Sequence, residues 1–250
     1  MKFSIVTVCF NSEKTIAQTI ESILAQSCQE WEHIIIDGAS RDGTQDIVRK
    51  YEPQYKGRLK FISEPDKGIY DAMNKGVKMA SGEIVGILNS DDWYEPNALD
   101  EIALAAARSP GCDIYYGTVR LIAGDDQERS LERWSHLRLF NRTLFHPACF
   151  VSSATYRKFG LFDMQYRITA DYDFLLRVRI GGGSFVPVDA ILSNFRITGT
   201  SAKNLLRTEL EEVKVRRNNK ICTRRQAAVL IAKGIVKTAF HTAIAKFGYV

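Results

Sequence analysis

The stretch Glu83–Pro96 reads EIVGILNSDDWYEP, and the rest of the chain is organised around it. A short apolar run, Ile84 to Leu88, follows the punctuating Gly82 and stops at Asn89-Ser90-Asp91-Asp92. Its length suits a strand buried on both faces. Adjacent carboxylates at the end of such a strand repel each other, and desolvation penalises their charged forms. A divalent cation relieves both problems, and hard oxygen ligands suit Mg²⁺ or Mn²⁺. The alternative is an acidic turn that caps a helix beginning near Pro96. The dipeptide alone leaves both open, so its surroundings decide.

Upstream, strand and helix signals alternate. Phe3 to Cys9 is a β-branched apolar run, after which Asn11 and Ser12 can cap a helix with Ile16, Ile20, Ile23 and Leu24 at helical spacing. His33 to Ile36 forms a second strand ending at Asp37, and the loop GASRDGT (Gly38 to Thr44) leads into a helix closed by Pro53. Leu59 to Ser63 is a third strand, ending at Glu64-Pro65-Asp66, and Gly68 precedes a helix with Ile69, Met73, Val77 and Ala80. Asn97 to Arg108 supplies the helix after the opening stretch. Four βα units in succession predict an α/β fold, a Rossmann-like, mostly parallel sheet flanked by helices on both faces. Ligands bind such sheets beyond the carboxyl ends of the strands. Polar residues stand at all four ends: Asn11, Asp37, Glu64 with Asp66, and Asp91 with Asp92. There is no G-x-G-x-x-G after the first strand and no G-x-x-x-x-G-K-[ST], which excludes a dinucleotide fingerprint and a P-loop.

Beyond Arg108 the pattern changes. Asp113 to Ile122 predicts a strand, Ala123 to Arg142 is polar and irregular, and His146-Pro147-Ala148 opens a short apolar run. The segment ITADYDFLLRVRIGGG suits a helix with Phe174, Leu175 and Val178 inward, and Ser184 to Val188 suits a strand. Asn194 to Ser201 reads as a polar loop containing Arg196. The expected organisation is a domain over 1–202, with a ligand-binding half at 1–108 and a second half at 109–202, followed by a helical tail at 203–250.

Apolar content of 45% and charged content of 25% are those of an ordinary globular protein. The five cysteines are odd in number and scattered without a C-x-x-C, which argues against a disulfide framework or a zinc site and fits a reducing cytoplasm. The start shows no charged segment followed by an apolar signal core, so secretion is not expected. Of the net charge of +5, the tail carries +8 (11 Lys/Arg against 3 Asp/Glu), leaving −3 for residues 1–202. The body therefore carries no nucleic-acid footprint. In the tail, Arg225 to Phe247 mixes apolar residues with Lys233, Lys237 and Lys246. No uncharged stretch reaches the roughly 18 residues needed to span a bilayer. A basic amphipathic helix can lie on an anionic membrane surface, which predicts peripheral contact with the inner face of the cell membrane. The alternative is a helix packed on the body or on a partner subunit.

Taken together and in order, TVCFNSEKTI (Thr7 to Ile16), DGASRDGT (Asp37 to Thr44), SEPDKGIYDAMNKG (Ser63 to Gly76), NSDDW (Asn89 to Trp93) and ADYDFLLRV (Ala170 to Val178) resemble the family-two glycosyltransferases of the GT-A fold, over about residues 3 to 200. The resemblance implies a nucleotide-sugar donor, usually a uridine one, bound over the first strand ends. It implies that the Thr7 to Glu13 segment, with Thr7, Cys9, Asn11 and Glu13, and Asp37 contact the nucleoside, with Ser40 and Asp42 beside it. Asp66, Gly68, Asn74 and Lys75 would line the donor pocket. Asp91 and Asp92 would be the DxD-type pair, one towards ribose and metal, the other directly on Mn²⁺ or Mg²⁺. Asn89 stands where many relatives carry an aspartate. Asp171 would be the base that deprotonates the acceptor hydroxyl, with Ala170 where relatives often have glutamate; its other role would be a helix N-cap. Attack opposite the leaving nucleotide implies inversion. His146 is a candidate for the diphosphate, metal or acceptor, Arg196 for a bidentate clamp on the diphosphate, and Trp93 or Trp134 for stacking on a sugar.

The expected activity is an inverting, metal-dependent transfer from a nucleotide sugar to a saccharide or lipid-linked acceptor in surface polysaccharide or lipopolysaccharide synthesis. Two other classes compete. A sugar-nucleotide-forming nucleotidyltransferase would want a Gly-rich, basic loop after the first strand, where Cys9-Phe10-Asn11-Ser12 stands. A non-catalytic nucleotide-sugar binder would not need the paired acids or Asp171.

Overall fold

The computed structural model describes residues 1–124, 126–197 and 204–247, with side chains through residue 236. Strand β1 (Phe3–Cys9) and strand β2 (Trp31–Asp37) are buried at all seven positions each. Such runs belong to a sheet covered on both faces. Alternate side chains divide between two cores. Val6, Val8, Ile34 and Ile36 join one, with Met73 and Val77 of helix α3 (Ile69–Met79). Phe3, Ile5 and Ile35 join the other, with Ile16, Ile20 and Ile23 of helix α1 (Ile16–Leu24) and Val48 of helix α2 (Thr44–Tyr51). Helix α3 lies so close to β1 that a Cβ placed on Gly76 would fall 2.2 Å from Val6 Cγ1.

Strand β3 (Leu59–Ser63) pairs parallel with β2, and strand β4 (Ile84–Ile87) pairs parallel with β1 on its other side. The order β3-β2-β1-β4 reverses direction between β1 and β4, which is where ligands bind in open α/β sheets. Past β4 come strand β5 (Trp93–Tyr94), helix α4 (Ala98–Arg108), and strands β6 (Ile114–Ile122), β7 (Glu128–Glu132) and β8 (Cys149–Ser152). Helix α5 (Ser153–Phe159), helix α6 (Ala170–Ile180) and strand β9 (Phe185–Arg196) follow. Strand β8 joins antiparallel to β4 and β6, so the two halves share one sheet that is parallel in the first half and mixed in the second.

Three expectations change. Helix α1 starts at Ile16 after Thr15, not at an Asn11-Ser12 cap; Asn11 instead adopts a left-handed φ of 51°. Residues 123–142 are not wholly irregular, because β7 pairs with β6. The strand expected to end at Val188 runs on to Arg196, held by pairing with β6 and, at Ser193 and Asn194, with β5. The loop expected from Asn194 therefore begins after it, and residues 198–203 lie outside those described.

Helix α7 (Leu205–Asn218) does not stand apart from the body. Val213 and Val215 are buried, and Val215 joins the core that contains Leu175, Leu176 and Val178 of α6. Helix α8 (Arg224–Phe247) packs along α7, with Ala227 buried and Gly234 so close that a Cβ on it would lie 3.3 Å from Glu209 Cβ.

His33 on β2 is fully buried, with Nε2 2.8 Å from Thr7 Oγ1 and Nδ1 2.7 Å from the Tyr55 hydroxyl. Burial pushes its pKa from 6.5 down to about 3. Between those values the unfolded chain binds a proton that the folded one refuses, so this contribution to stability is complete above the unfolded pKa and falls as pH drops. At pH 5 the loss should reach about 2 kcal/mol. Urea midpoints recorded between pH 7.5 and 5 check this, and His33→Asn should flatten the slope.

Candidate active site

A cleft of about 880 Å³ opens over the carboxyl ends of β1 and β4. Two loops, 10–15 and 38–44, meet on one side of it, where residues 10–15 and Asp42 line the cleft, and are laced together. Asn11 N donates to Ser40 Oγ (2.8 Å), Arg41 N donates to Asn11 Oδ1 (2.9 Å), and Gly43 N donates to Glu13 Oε2 (2.8 Å). Asp42 accepts from Glu13 N (3.1 Å) and Thr44 N (3.1 Å). Ser12 Oγ lies 2.8 Å from Ser90 Oγ and so ties this wall to the acidic turn.

Of the residues expected at the donor, Cys9, Asn11, Glu13, Asp42, Asp66, Gly68, Asp91, His146 and Arg196 line the cleft, as does Asp171. Six other expected residues do not line the cleft. Thr7 is buried against His33, on the sheet interior. Asp37 is fully buried, and its carboxylate accepts from Ser40 N (3.0 Å), Ser63 Oγ (2.6 Å) and the Ser40 hydroxyl. Asp37 and Ser40 therefore brace the second loop from beneath and do not line the cleft. Asn74 clasps the Phe162 backbone, donating to its oxygen (2.9 Å) and accepting from its nitrogen (3.0 Å). Lys75 turns outward to Glu64 (2.7 Å) and the Pro65 carbonyl (3.1 Å).

The sixth is Asp92. It is fully buried, where its Oδ1 accepts from Arg196 N (3.0 Å) and its Oδ2 has no hydrogen-bond partner. Burial first, then the neighbouring Asp91 charge, lifts its pKa well above the carboxylate range. It does not line the cleft, so the pair divides: Asp91 faces the ligand space and Asp92 anchors the turn to β9. Arg196 completes that anchor. Its guanidinium donates to the Asp91 carbonyl (2.9 Å), Gln18 Oε1 (2.8 Å) and Asp126 Oδ1 (2.8 Å), and it lies 4.7 Å from the centre of the Trp93 ring. Arg196 thus holds the acidic turn, and Trp93 carries Arg196. Trp134 is similarly engaged by Arg142, 3.5 Å from its ring centre.

On the opposite wall Asp171 occupies the first turn of α6, where the helix dipole favours a carboxylate. The Tyr70 hydroxyl lies 2.8 Å from Asp171 Oδ1 and 2.6 Å from the Ile168 carbonyl, sharing its one proton between them. Burial and then Asp171 keep that hydroxyl protonated. His146 Nδ1 is 3.8 Å from Asp171 Oδ2, and its Nε2 is buried without a hydrogen-bond partner. Burial depresses the His146 pKa, against the opposing pull of Asp171 and Asp91, which favours a neutral ring with a lone pair to offer.

Among the described residues no group of three or more His, Cys, Asp or Glu could hold a cation unaided. A cation such as Mg²⁺ usually takes one or two protein ligands and completes its shell with phosphate and water. The Asp91 carboxylate, which lines the cleft, fits that requirement as a hard oxygen donor, and His146, which also lines it, would add an imidazole nitrogen better suited to Mn²⁺ than to Mg²⁺.

The model of glycosyl transferase family 2 matches residues 4–166. This chain belongs to glycosyl transferase family 2. The PGL/p-HBAD biosynthesis glycosyltransferase of Mycobacterium bovis is 32% identical over 176 residues, 70% of this chain and 68% of that protein. In shape the transferase is similar to S. aureus TarS 1–349 in complex with UDP-GlcNAc (TM-score 0.73, 18% identity, 94% of this chain and 72% of that one). It is also similar to the mannosyltransferase PcManGT from Pyrobaculum calidifontis in complex with GDP-Man and Mn²⁺ (TM-score 0.65, 15% identity, 99% and 79%). The GT-A fold and a glycosyltransferase activity follow from these relationships.

The sequence alone did not single out Tyr70, Phe10 or Arg167 for this transferase's cleft. Phe10 stands 62% exposed at its mouth. Arg167 crosses from the second half to donate to the Lys67 carbonyl (2.6 Å) beside Gly68, whose φ of 117° suits glycine. The aromatic just past β1 was the one available signal; partners some hundred residues apart leave none.

Proposed function

We propose that the enzyme is an inverting, cation-dependent transferase that moves a sugar from a UDP-sugar to a saccharide or lipid-linked saccharide in surface polysaccharide or lipopolysaccharide synthesis. The observation that carries it is Asp171, a carboxylate held by Tyr70 and facing, across one cleft, the acidic turn of Asp91. The UDP donor is favoured by TarS, which binds UDP-GlcNAc.

The nucleoside would rest against loops 10–15 and 38–44, whose mutual hydrogen bonds hold the wall in place before a ligand arrives. Asp91 and His146 would hold the cation, which when bound would neutralise charge on the departing diphosphate. Asp171 accepts the proton of the acceptor hydroxyl as that oxygen attacks the anomeric carbon from the side opposite the nucleotide. Tyr70, protonated, donates to the carboxylate and aims it. The configuration at the anomeric carbon is thereby inverted. The test is a screen of purified nucleotide sugars with and without Mn²⁺, reading release of free nucleoside diphosphate. Release from a UDP-sugar only with the cation supports the proposal, and equal release without it overturns cation dependence.

The tail gives the proposal its location. Helix α8 exposes Val229 (55%), Ile235 (50%) and Val236 (68%), with Arg224, Arg225 and Lys233 exposed on the same helix. No helix among the described residues is long and apolar enough to cross a membrane. Apolar and basic residues alternate around this helix and do not gather on one apolar face as the sequence led us to expect, so the support for an anionic surface is its charge, each basic residue near that surface adding about 1 kcal/mol. Deleting Arg225 to Val250 should therefore reduce co-sedimentation with vesicles rich in anionic lipid; undiminished sedimentation would remove the tail from this role.

A further inference from the structure

Helix α7 lies beyond the residues matched by the family model, yet it reaches the cleft through Thr208 and Glu212. Between these two, Glu211 points into the segment that leads to Asp171. Its Oε2 accepts from Arg167 N (2.9 Å) and Ile168 N (2.8 Å), with the Thr169 hydroxyl at 3.5 Å. Its Oε1 accepts from Arg207 Nε at 3.3 Å, and the side chain is 13% exposed. Thr169, the residue before α6, makes no side-chain cap of its own.

The backbone of Ile168 is thus held at both of its polar atoms. Its nitrogen donates to Glu211, and its carbonyl accepts from Tyr70, whose hydroxyl also reaches Asp171. We propose that Glu211 is a positioning residue for Asp171, acting through the 167–168 backbone, which makes helix α7 part of the catalytic unit. The proposal rests on Asp171 as the base. Charge-assisted hydrogen bonds to backbone N–H groups are the strong ones, and here they fix the 166–167 and 167–168 peptides, which lead into the helix start that carries Asp171. Removing them frees the start of α6 to shift, and a displacement of about 1 Å at a reacting group can lower a rate about a hundredfold.

The experiment compares Glu211→Ala, Glu211→Gln and Glu211→Asp in the full chain. Hydrogen exchange is read over residues 166–172, UDP affinity by calorimetry, and kcat and donor KM from Mn²⁺-supported release of UDP. Glu211→Ala should lose protection at Arg167 and Ile168 and drop kcat about tenfold to a hundredfold, with UDP affinity and donor KM within about twofold. Glu211→Gln, which keeps a carbonyl acceptor, should recover most of the rate. Should the alanine variant fail to fold, Glu211→Asp, which withdraws the carboxylate by one methylene, is expected to show the same split. Lost protection with wild-type kcat, or a rate loss matched by weakened UDP binding, overturns the proposal. A wild-type enzyme that turns over while Asp171→Asn does so equally overturns the base assignment itself, a result distinct from either.

Discussion

Asp171→Asn should lower turnover about a thousandfold while leaving UDP affinity within about twofold, since a positioned general base contributes about 10² to 10⁴ in rate. Asparagine keeps the size of the side chain and an oxygen for the Tyr70 hydroxyl at Oδ1, so the hydrogen bond that orients the group survives. It cannot take a proton from the acceptor. The competing explanation is that Asp171 merely stabilises the start of α6. A carboxylate in the first turn of a helix is worth about 0.3–1 kcal/mol. A thousandfold loss corresponds to about 4 kcal/mol, well beyond that. The two roles therefore separate by size: the helix role predicts a melting temperature a few degrees lower and near-normal turnover at 25 °C. Steady-state kinetics at saturating donor and acceptor, with calorimetry of UDP binding, distinguish them, and unchanged turnover would remove the base from the mechanism.

The parallel half of the sheet was legible because its residues are locally self-consistent. Runs such as Phe3–Cys9 suit a doubly covered strand on any register, and the helices between them keep an apolar stripe. The positions of Asp91 and Asp171 at the cleft were legible for the same reason, since each lies at the end of a recognisable element. What escaped was direction and partnership. Asp91 and Asp92 are adjacent in sequence and of one type, yet only pairing with β9, more than a hundred residues later, makes one line the cleft and buries the other. Asp37 looked like a ligand because polar strand ends collect ligands; the hydroxyls of Ser40 and Ser63 turned it into a brace. Arg196 carried a signal of charge but none of its four partners, which come from α1, the acidic turn, β5 and the turn after β6. Tyr70 and Glu211 had no signal at all, because an aromatic in a helix and a glutamate in a charged tail are ordinary until the fold brings both to the backbone of Ile168.

The division of labour between the two aspartates has its own decisive measurement. With Mn²⁺ present, UDP at a hundredfold its dissociation constant should stabilise the wild type by about 2.7 kcal/mol. For a chain of this size that is a rise in melting temperature of about 5–10 °C. Asp91→Asn should lose the Mn²⁺-dependent part of this rise and keep the part given by UDP alone, because an amide oxygen is a weaker ligand for a hard cation than a carboxylate. Asp92→Asn should behave in the opposite way. Its Oδ1 still accepts from Arg196 N, and the buried group becomes a neutral amide where burial already opposes the charge. The Mn²⁺-dependent rise should therefore survive in that variant. His146→Ala should fall between them if its unpartnered Nε2 shares the cation with Asp91. Equal loss of the rise in both aspartate variants would mean that the turn acts as a unit and that burial of Asp92 does not exclude it from the cation. A rise independent of Mn²⁺ in the wild type would instead remove the cation from Asp91.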